Sequence, residues 1–249
     1  MNAQTNWVIG HHAINAVLRL NPERCIELCL VFNQNNLPQQ ALIESVGQLG
    51  ITVKMLDKHA LTKRCGHGQH QGVAMLTRPR KEGGDKDLFK HLDGLSEPAL
   101  VLVLDQVKDP HNFGACLRSA DAAGVDAVVV AKDNASPLSA TVHKVASGAA
   151  ETLALYRVTN LARTLEGMKR SGLWLMGTSD KAKQSIYQHD LTSSLALVMG
   201  AEGRGLRPLT EKCCDSLIKL PMAGEVVTSL NVSVATGICL YEAVRQRFG

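Results

Sequence analysis

Three segments of the chain combine residue types and spacings that can carry chemistry. The first, DPHNFGACLRSADAAG at Asp109–Gly124, follows an apolar run ending at Asp105. Pro110 and Asn112 suit a turn or helix start, and Gly114 lets a second backbone or a ligand approach closely. His111, Ala115 and Arg118 share one face of a helix, which leaves Arg118 either facing a cleft or lying in water like most arginines of amphipathic helices. The second segment, LALVMGAEGRGL at Leu195–Leu206, is an apolar run that breaks into Gly200, Gly203 and Gly205 around Glu202. Such a loop beyond a parallel strand exposes backbone N–H groups to a ligand, and it also serves as a plain turn. The third, IKLPMAGEVVTSLNVSVATGICLYEAVRQR at Ile218–Arg247, passes from a strand through a loop into a long helix. Ser229, Asn231 and Ser233 cluster at that helix start; capping accounts for one of them, and a ligand contact is the reading open for the others.

The glycine spacing matches neither Gly-x-Gly-x-x-Gly nor a phosphate loop closed by Gly-Lys-Ser/Thr, which disfavours a nicotinamide-dependent oxidoreductase. Cys65, His67 and His70 form a separate polar cluster. A closed metal site needs a fourth ligand there, so the reading preferred from the residues is an RNA-facing loop made by His67, His70, Lys63 and Arg64.

The elements that must hold these segments follow from hydrophobic periodicity. Up to about residue 77, strand-like and helix-like runs alternate in a small α/β module. Residues 78–97 are rich in charge, Gly and Pro; they read as a mobile linker with a short helix at Leu88–Leu92. From residue 98 to 249, short continuous apolar runs alternate with helices, the pattern of strands buried on both faces of a parallel sheet in a doubly wound α/β domain. The expected organisation is therefore 1–77, linker 78–97, and 98–249.

Bulk composition narrows the function classes. The chain has 249 residues, 45% hydrophobic and 20% charged, ordinary for a globular protein with a sizeable core. A formal charge of +4 permits a polyanionic partner without demanding one. Seven cysteines, an odd number without a Cys-x-x-Cys pair, suggest neither a disulfide framework nor a thiolate metal site, and favour a reducing cytoplasm. The first ten residues lack a basic segment followed by an apolar run, and no stretch of eighteen apolar residues occurs, so neither export nor a membrane partner is expected.

Taken in order, the three segments resemble the three motifs of the SpoU family of RNA 2′-O-methyltransferases, in the knotted SPOUT superfamily. The resemblance covers the second domain, and the leading module resembles the family's ribosomal-protein-like (L30e-like) substrate-binding domain. It implies a parallel-sheet catalytic domain with a trefoil knot at its carboxyl end, which sequence reasoning excludes by default because knots are so rare. It implies S-adenosylmethionine as methyl donor, held by Gly177, Gly200, Leu220, Met222 and Leu230, and no metal. It assigns the reaction to Asn112, Arg118, Glu202, Ser229 and Asn231. The implied substrate is ribosomal RNA, 23S in particular. Transfer RNA, another ribosomal site and a non-catalytic assembly factor are the alternatives. The implied assembly is a homodimer through the catalytic domain, compatible with the apolar positions Val234, Ile238, Tyr241 and Val244 on the last helix.

Overall fold

The first strand, β1 (Asn6–Ile9), turns at Gly10, whose φ of 88° needs a residue without a Cβ, into α1 (His11–Leu20). There follow β2 (Cys25–Leu30), α2 (Leu37–Gln48), β3 (Thr52–Met55), α3 (Lys58–Cys65) and β4 (Val73–Thr77). The chain continues through α4 (Asp85–Leu92), β5 (Leu100–Leu104), α5 (Pro110–Ala122), β6 (Ala127–Ala131), α6 (Ala140–Ala146), α7 (Ala149–Thr152), β7 (Leu155–Val158) and α8 (Leu161–Arg170). It ends with β8 (Trp174–Thr178), β9 (Gln184–Ser185), β10 (Leu195–Met199), α9 (Pro208–Cys213), β11 (Ser216–Lys219) and α10 (Val232–Phe248). This computed structural model describes residues 5–31, 37–201 and 203–249. They form two units, Met1–Lys81 with Pro137–Thr152, and Glu82–Ser136 with Leu153–Gly249.

The first unit is a four-stranded sheet in the order β1-β4-β2-β3, antiparallel except for the β2–β3 pair. Its strands bury alternate residues on opposite faces, as a period of two dictates. Val8, Leu28, Leu30, Val73 and Met75 pack under Ile14 and Val17 of α1 and Leu42 and Val46 of α2. Ile9, Cys29 and Ala74 pack on the other side with Leu61 and Cys65 of α3 and Ala140 of α6. Helix α3 starts where the Asp57 side chain accepts from Ala60 N (2.8 Å) and stops at Gly66 in the left-handed region.

Two expectations change here. Residues 137–152 were expected within the second domain, yet they belong to the first unit. The Arg24 guanidinium pairs with Glu151, Asn21 donates to the same carboxylate (3.3 Å), Arg80 donates to Ala150 O, and His67 Nε2 lies 2.9 Å from Thr141 Oγ1. These bonds link residues some 70 to 130 positions apart, which local pattern does not reveal. His70, expected to face RNA, is 1% exposed. Its Nδ1 accepts from Gly72 N (3.0 Å), so Nε2 carries the proton and donates to Thr62 Oγ1 (3.0 Å). The ring therefore stitches α3 to the turn before β4. Arg64 is spent on Glu27 (2.6 Å), beside Lys54, whereas Lys63 is exposed. Among the described residues no cluster of three His, Cys, Asp or Glu side chains is placed to hold a metal.

The second unit is an all-parallel sheet of seven strands, β7-β6-β5-β10-β8-β11-β9. Every residue of β5, β6 and β10 is buried, as their unbroken apolar runs require. The strands β5, β6 and β7 step outward in one direction, whereas the later strands lie on the other side of β5, which makes the β5–β10 boundary the topological switch point. Within residues 78–97, expected as a mobile linker with a short helix at Leu88–Leu92, that helix is present as α4, but Leu88 and Leu92 lie in the core of this unit rather than in a linker. The Phe89 ring fills the space beside Gly167, where a Cβ would come within 2.4 Å of it. Asp85 and Asp87 favour the helix start, and the apolar side chains fasten a segment whose overall composition is polar. Among the described residues no helix is long and apolar enough to cross a membrane.

His143 is 1% exposed, and burial, with the Arg24 and Arg80 guanidiniums close by, pushes it from the ordinary 6.5 down to about 4. As pH falls from about 6.5 toward 4, the unfolded chain takes up a proton that the folded ring refuses, so this residue makes stability decline across that window. Replacing His143 with Gln is expected to flatten the decline, read as the change in urea midpoint between pH 7 and 4.5. An unaltered pH dependence contradicts a neutral buried ring.

Candidate active site

The parallel sheet brings three of the chemically suggestive segments to one edge. Gly177 is the penultimate residue of β8, paired in register with Val198 of β10 and Leu217 of β11. Gly200 follows β10 and Leu220 follows β11, so Gly177, Gly200 and Leu220 sit at the carboxyl ends of three adjacent strands. Ligands of open α/β sheets bind at such ends. Leu220, Met222 and Leu230 are each half-buried, leaving apolar surface along this edge, while Ser229 is exposed.

Both glycines are demanded by the protein itself. A Cβ on Gly200 would lie 2.2 Å from the Gly205 carbonyl carbon and 2.4 Å from Leu206 N, so only glycine lets the turn fold back on its own backbone. Ala201 and Gly205 close that turn with two backbone bonds, 3.1 and 2.9 Å. A Cβ on Gly177 would meet Cys214 Sγ and Leu206 Cδ1 at 2.7 Å. Glu202 lies outside the described residues.

The turn is tied across the switch point. Asp105, 0% exposed at the end of β5, accepts from Arg207 N (3.0 Å) and Arg207 Nε (2.7 Å). Sequence reading missed both residues, although an aspartate terminating the buried run ALVLVLD was a signal that a partner must exist.

Two helix starts complete the site. The Asp109 side chain accepts from Asn112 N (2.8 Å) and, with Pro110 in the first turn, begins α5. Asn231 caps α10, its Oδ1 accepting from Ser233 N (2.9 Å) and Ser233 Oγ (2.6 Å). With that oxygen occupied, its Nδ2 donates to Asn112 Oδ1 at 2.9 Å and joins the first segment to the third. Behind this bond α5 packs on α10 through Cys116 and Thr236, whose Sγ and Oγ1 are 3.5 Å apart. Arg118 is exposed, six residues and about 9 Å further along the axis of α5. No hydrogen bond or ion pair joins it to another group among the described residues. The structure thus unites Asn112 with Asn231 and leaves Arg118 and Ser229 open to solvent.

A doubly wound parallel sheet with its polar residues and glycine turns gathered beyond the strand ends defines an α/β protein with a ligand site at that edge. Residues 99–241 match the SpoU rRNA Methylase family, and residues 7–83 match the RNA 2′-O ribose methyltransferase substrate binding family. The chain belongs to the SpoU rRNA methylase family and is an RNA methyltransferase. It is 50% identical over 240 residues to the 23S rRNA (guanosine-2′-O-)-methyltransferase RlmB of Vibrio cholerae, covering 96% of each chain. It is 47% identical to the protein of that name from Escherichia coli, covering 98% of this chain and 99% of the other. In fold it is similar to the SpoU methyltransferase AviRb from Streptomyces viridochromogenes, solved in complex with AdoMet, at a TM-score of 0.80 and 23% identity, covering 98% of this chain and 90% of that one.

Gly200→Ala is expected to force the turn apart, because its Cβ meets backbone that cannot swing aside, and to weaken S-adenosylmethionine binding severely. Gly203→Ala meets no atom of the described residues and costs only the strain of a positive φ of 73°, about 1 kcal/mol. Calorimetric titration and thermal unfolding of the two variants should therefore separate them clearly. Equal behaviour would refute the backbone-contact explanation.

Proposed function

We propose that the protein transfers the methyl group of S-adenosylmethionine to the ribose 2′-hydroxyl of a guanosine in 23S ribosomal RNA, in the peptidyl-transferase P loop. The observation that carries this reading is the likeness, near half identity over almost the full length of both chains, to proteins named for guanosine-2′-O-methylation of 23S rRNA. The reaction takes place in the cytoplasm, where assembling ribosomal RNA is accessible.

The residues present fit the methyl donor. Backbone at Gly177 and Gly200 and the half-buried Leu220, Met222 and Leu230 offer polar main-chain groups beside an apolar surface, which suits an adenine ring and a sulfonium side chain. The donor supplies an electrophilic methyl on positively charged sulfur. The carboxyl-terminal chain around this site forms the trefoil knot of the family.

The protein contributes positioning and electrostatics. Arg118 remains protonated, because a guanidinium cannot be deprotonated in a protein. It stabilises the developing oxyanion on the ribose and holds the neighbouring phosphate, with Glu202 orienting it. Asn112 and Asn231 fix the mouth of the site through their mutual bond, and Ser229 meets the ribose or the donor from the preceding loop. No residue in this scheme needs a metal.

The active assembly is a homodimer through the catalytic unit. Val234 and Tyr241 on α10 are 50% and 52% exposed, while Cys239, Leu240 and Ala243 of the same helix are buried. A second copy covers the exposed stripe under two-fold symmetry.

Mapping 2′-O-methylation over all ribosomal and transfer RNA in a strain lacking the protein should show loss at one 23S guanosine. Loss only in transfer RNA, or no loss, rejects the substrate assigned. For the purified enzyme, Arg118→Lys is expected to lower the single-turnover rate by about 10²-fold, since an ammonium cannot reproduce the planar fork. An unchanged rate removes Arg118 from the mechanism.

A further inference from the structure

Beyond the carboxyl ends of β6 and β7, on the other side of the switch point from Gly177 and Leu220, the second unit contains a half-open cavity of about 330 Å³. Asp133, Asn134, Asn160, Arg207, Leu209 and Thr210 are among its lining residues. None of them is given a part in methyl transfer itself, although Arg207 also ties the turn after β10 to Asp105. The volume lies at the lower end of the range for small-ligand sites, enough for one nucleotide-sized group.

Its chemistry is specific. Arg207 Nε and backbone N are held by the buried Asp105, which anchors the guanidinium, and its two outer nitrogens have no partner among the described residues. An anchored guanidinium with free outer N–H groups suits a phosphate. Exposed Lys132 and Arg163 adjoin the lining in sequence and add positive charge. Asp133, by contrast, disfavours a free dianion and accepts from a hydroxyl or a base N–H. The Asn134 amide reads either kind of group, whereas Asn160, whose Oδ1 caps α8 by accepting from Arg163 N (3.1 Å), has its Nδ2 to donate. Asn134 stands at a φ of 62°, in the left-handed region that asparagine tolerates.

We propose that this cavity receives one unstacked nucleotide of single-stranded RNA, its phosphodiester on Arg207 and its sugar or base edge against Asp133, Asn134 and Asn160. Recognition of splayed single-stranded nucleotides is how proteins commonly read RNA. The proposal rests on the RNA methyltransferase reading and adds to it a second contact point, so that the strand crosses the switch point between the cavity and the methyl-transfer site. Arg207 then serves both the turn after β10 and the RNA.

The test measures the affinity of the full-length protein for a labelled single-stranded oligoribonucleotide, by anisotropy at several salt concentrations, with S-adenosylmethionine binding followed by calorimetry. Leu209→Glu places a negative charge at the rim without removing a buried group, since Leu209 is 62% exposed. Asn134→Gly keeps the left-handed backbone and removes the amide. Each should weaken oligoribonucleotide binding by about tenfold while donor affinity stays within twofold. Arg207→Gln should lower the slope of log affinity against log salt by about 0.7, the signature of one lost single-strand phosphate contact. Affinity within twofold of native in both Leu209→Glu and Asn134→Gly overturns the proposal, as does equal displacement of the probe by millimolar inorganic phosphate in native protein and both variants. Methylation of ribosomal RNA by the native enzyme, assayed in parallel, reports on the underlying reading independently: a methylating enzyme with an unaffected probe loses only the cavity.

Discussion

The second unit depends on the turn after β10 folding back on its own backbone. Gly200 makes this possible by lacking a Cβ where Gly205 and Leu206 return, and the Arg207 bonds to Asp105 hold the far end of the turn against β5. A buried carboxylate is costly unless it is paired and hydrogen-bonded. Asp105 meets that condition only when the turn is closed. Strand ends, turn and switch point are therefore coupled: Leu206 lies against Gly177 of β8, so opening the turn disturbs the neighbouring strand as well. The helix starts at Asn112 and Asn231 impose a similar coupling between the first and third segments through one amide–amide bond.

The first unit stabilises itself differently. Its sheet has apolar residues on both faces, and residues from well beyond its amino-terminal portion complete the second face. Glu151, with a side chain 0% exposed, meets Arg24 and Asn21, while the buried His143 lies 3.3 Å from the same carboxylate. A charge pair of this kind adds little net stability over an apolar one, but removing one partner leaves the other stranded, so it makes the docking of Pro137–Thr152 selective.

Much of the fold was legible because burial on both faces leaves a one-dimensional trace. The runs ending at Asp105, at Ala131 and at Met199 became β5, β6 and β10; a helix start near Pro110 and Asn112 and a cap among Ser229, Asn231 and Ser233 were readable, and the structure makes Asp109 and Asn231 the caps. The linker reading of 78–97 went astray because composition outweighed periodicity. Leu88, Phe89, Leu92 and Leu95 form an apolar stripe within a charged segment, and they pack on the core of the second unit. The placement of residues 137–152 and the burial of His70 depend on tertiary partners that no local window contains. Motif position named the strand-end glycines and the two asparagines; the structure sets Gly177 and Gly200 at adjacent strand ends, joins Asn112 to Asn231 and adds why glycine is needed. The Asp105–Arg207 tie joins residues 102 apart and had no periodic signal.

The most direct test of the dependence of the proposed donor site on this tie is the dissociation constant of S-adenosylmethionine for Asp105→Asn, measured by calorimetry on protein verified as folded by circular dichroism. Losing the charge-assisted bond to Arg207 should loosen the turn and weaken binding by about tenfold or more. An affinity within twofold of the native value would contradict the claim that the closed turn shapes the site.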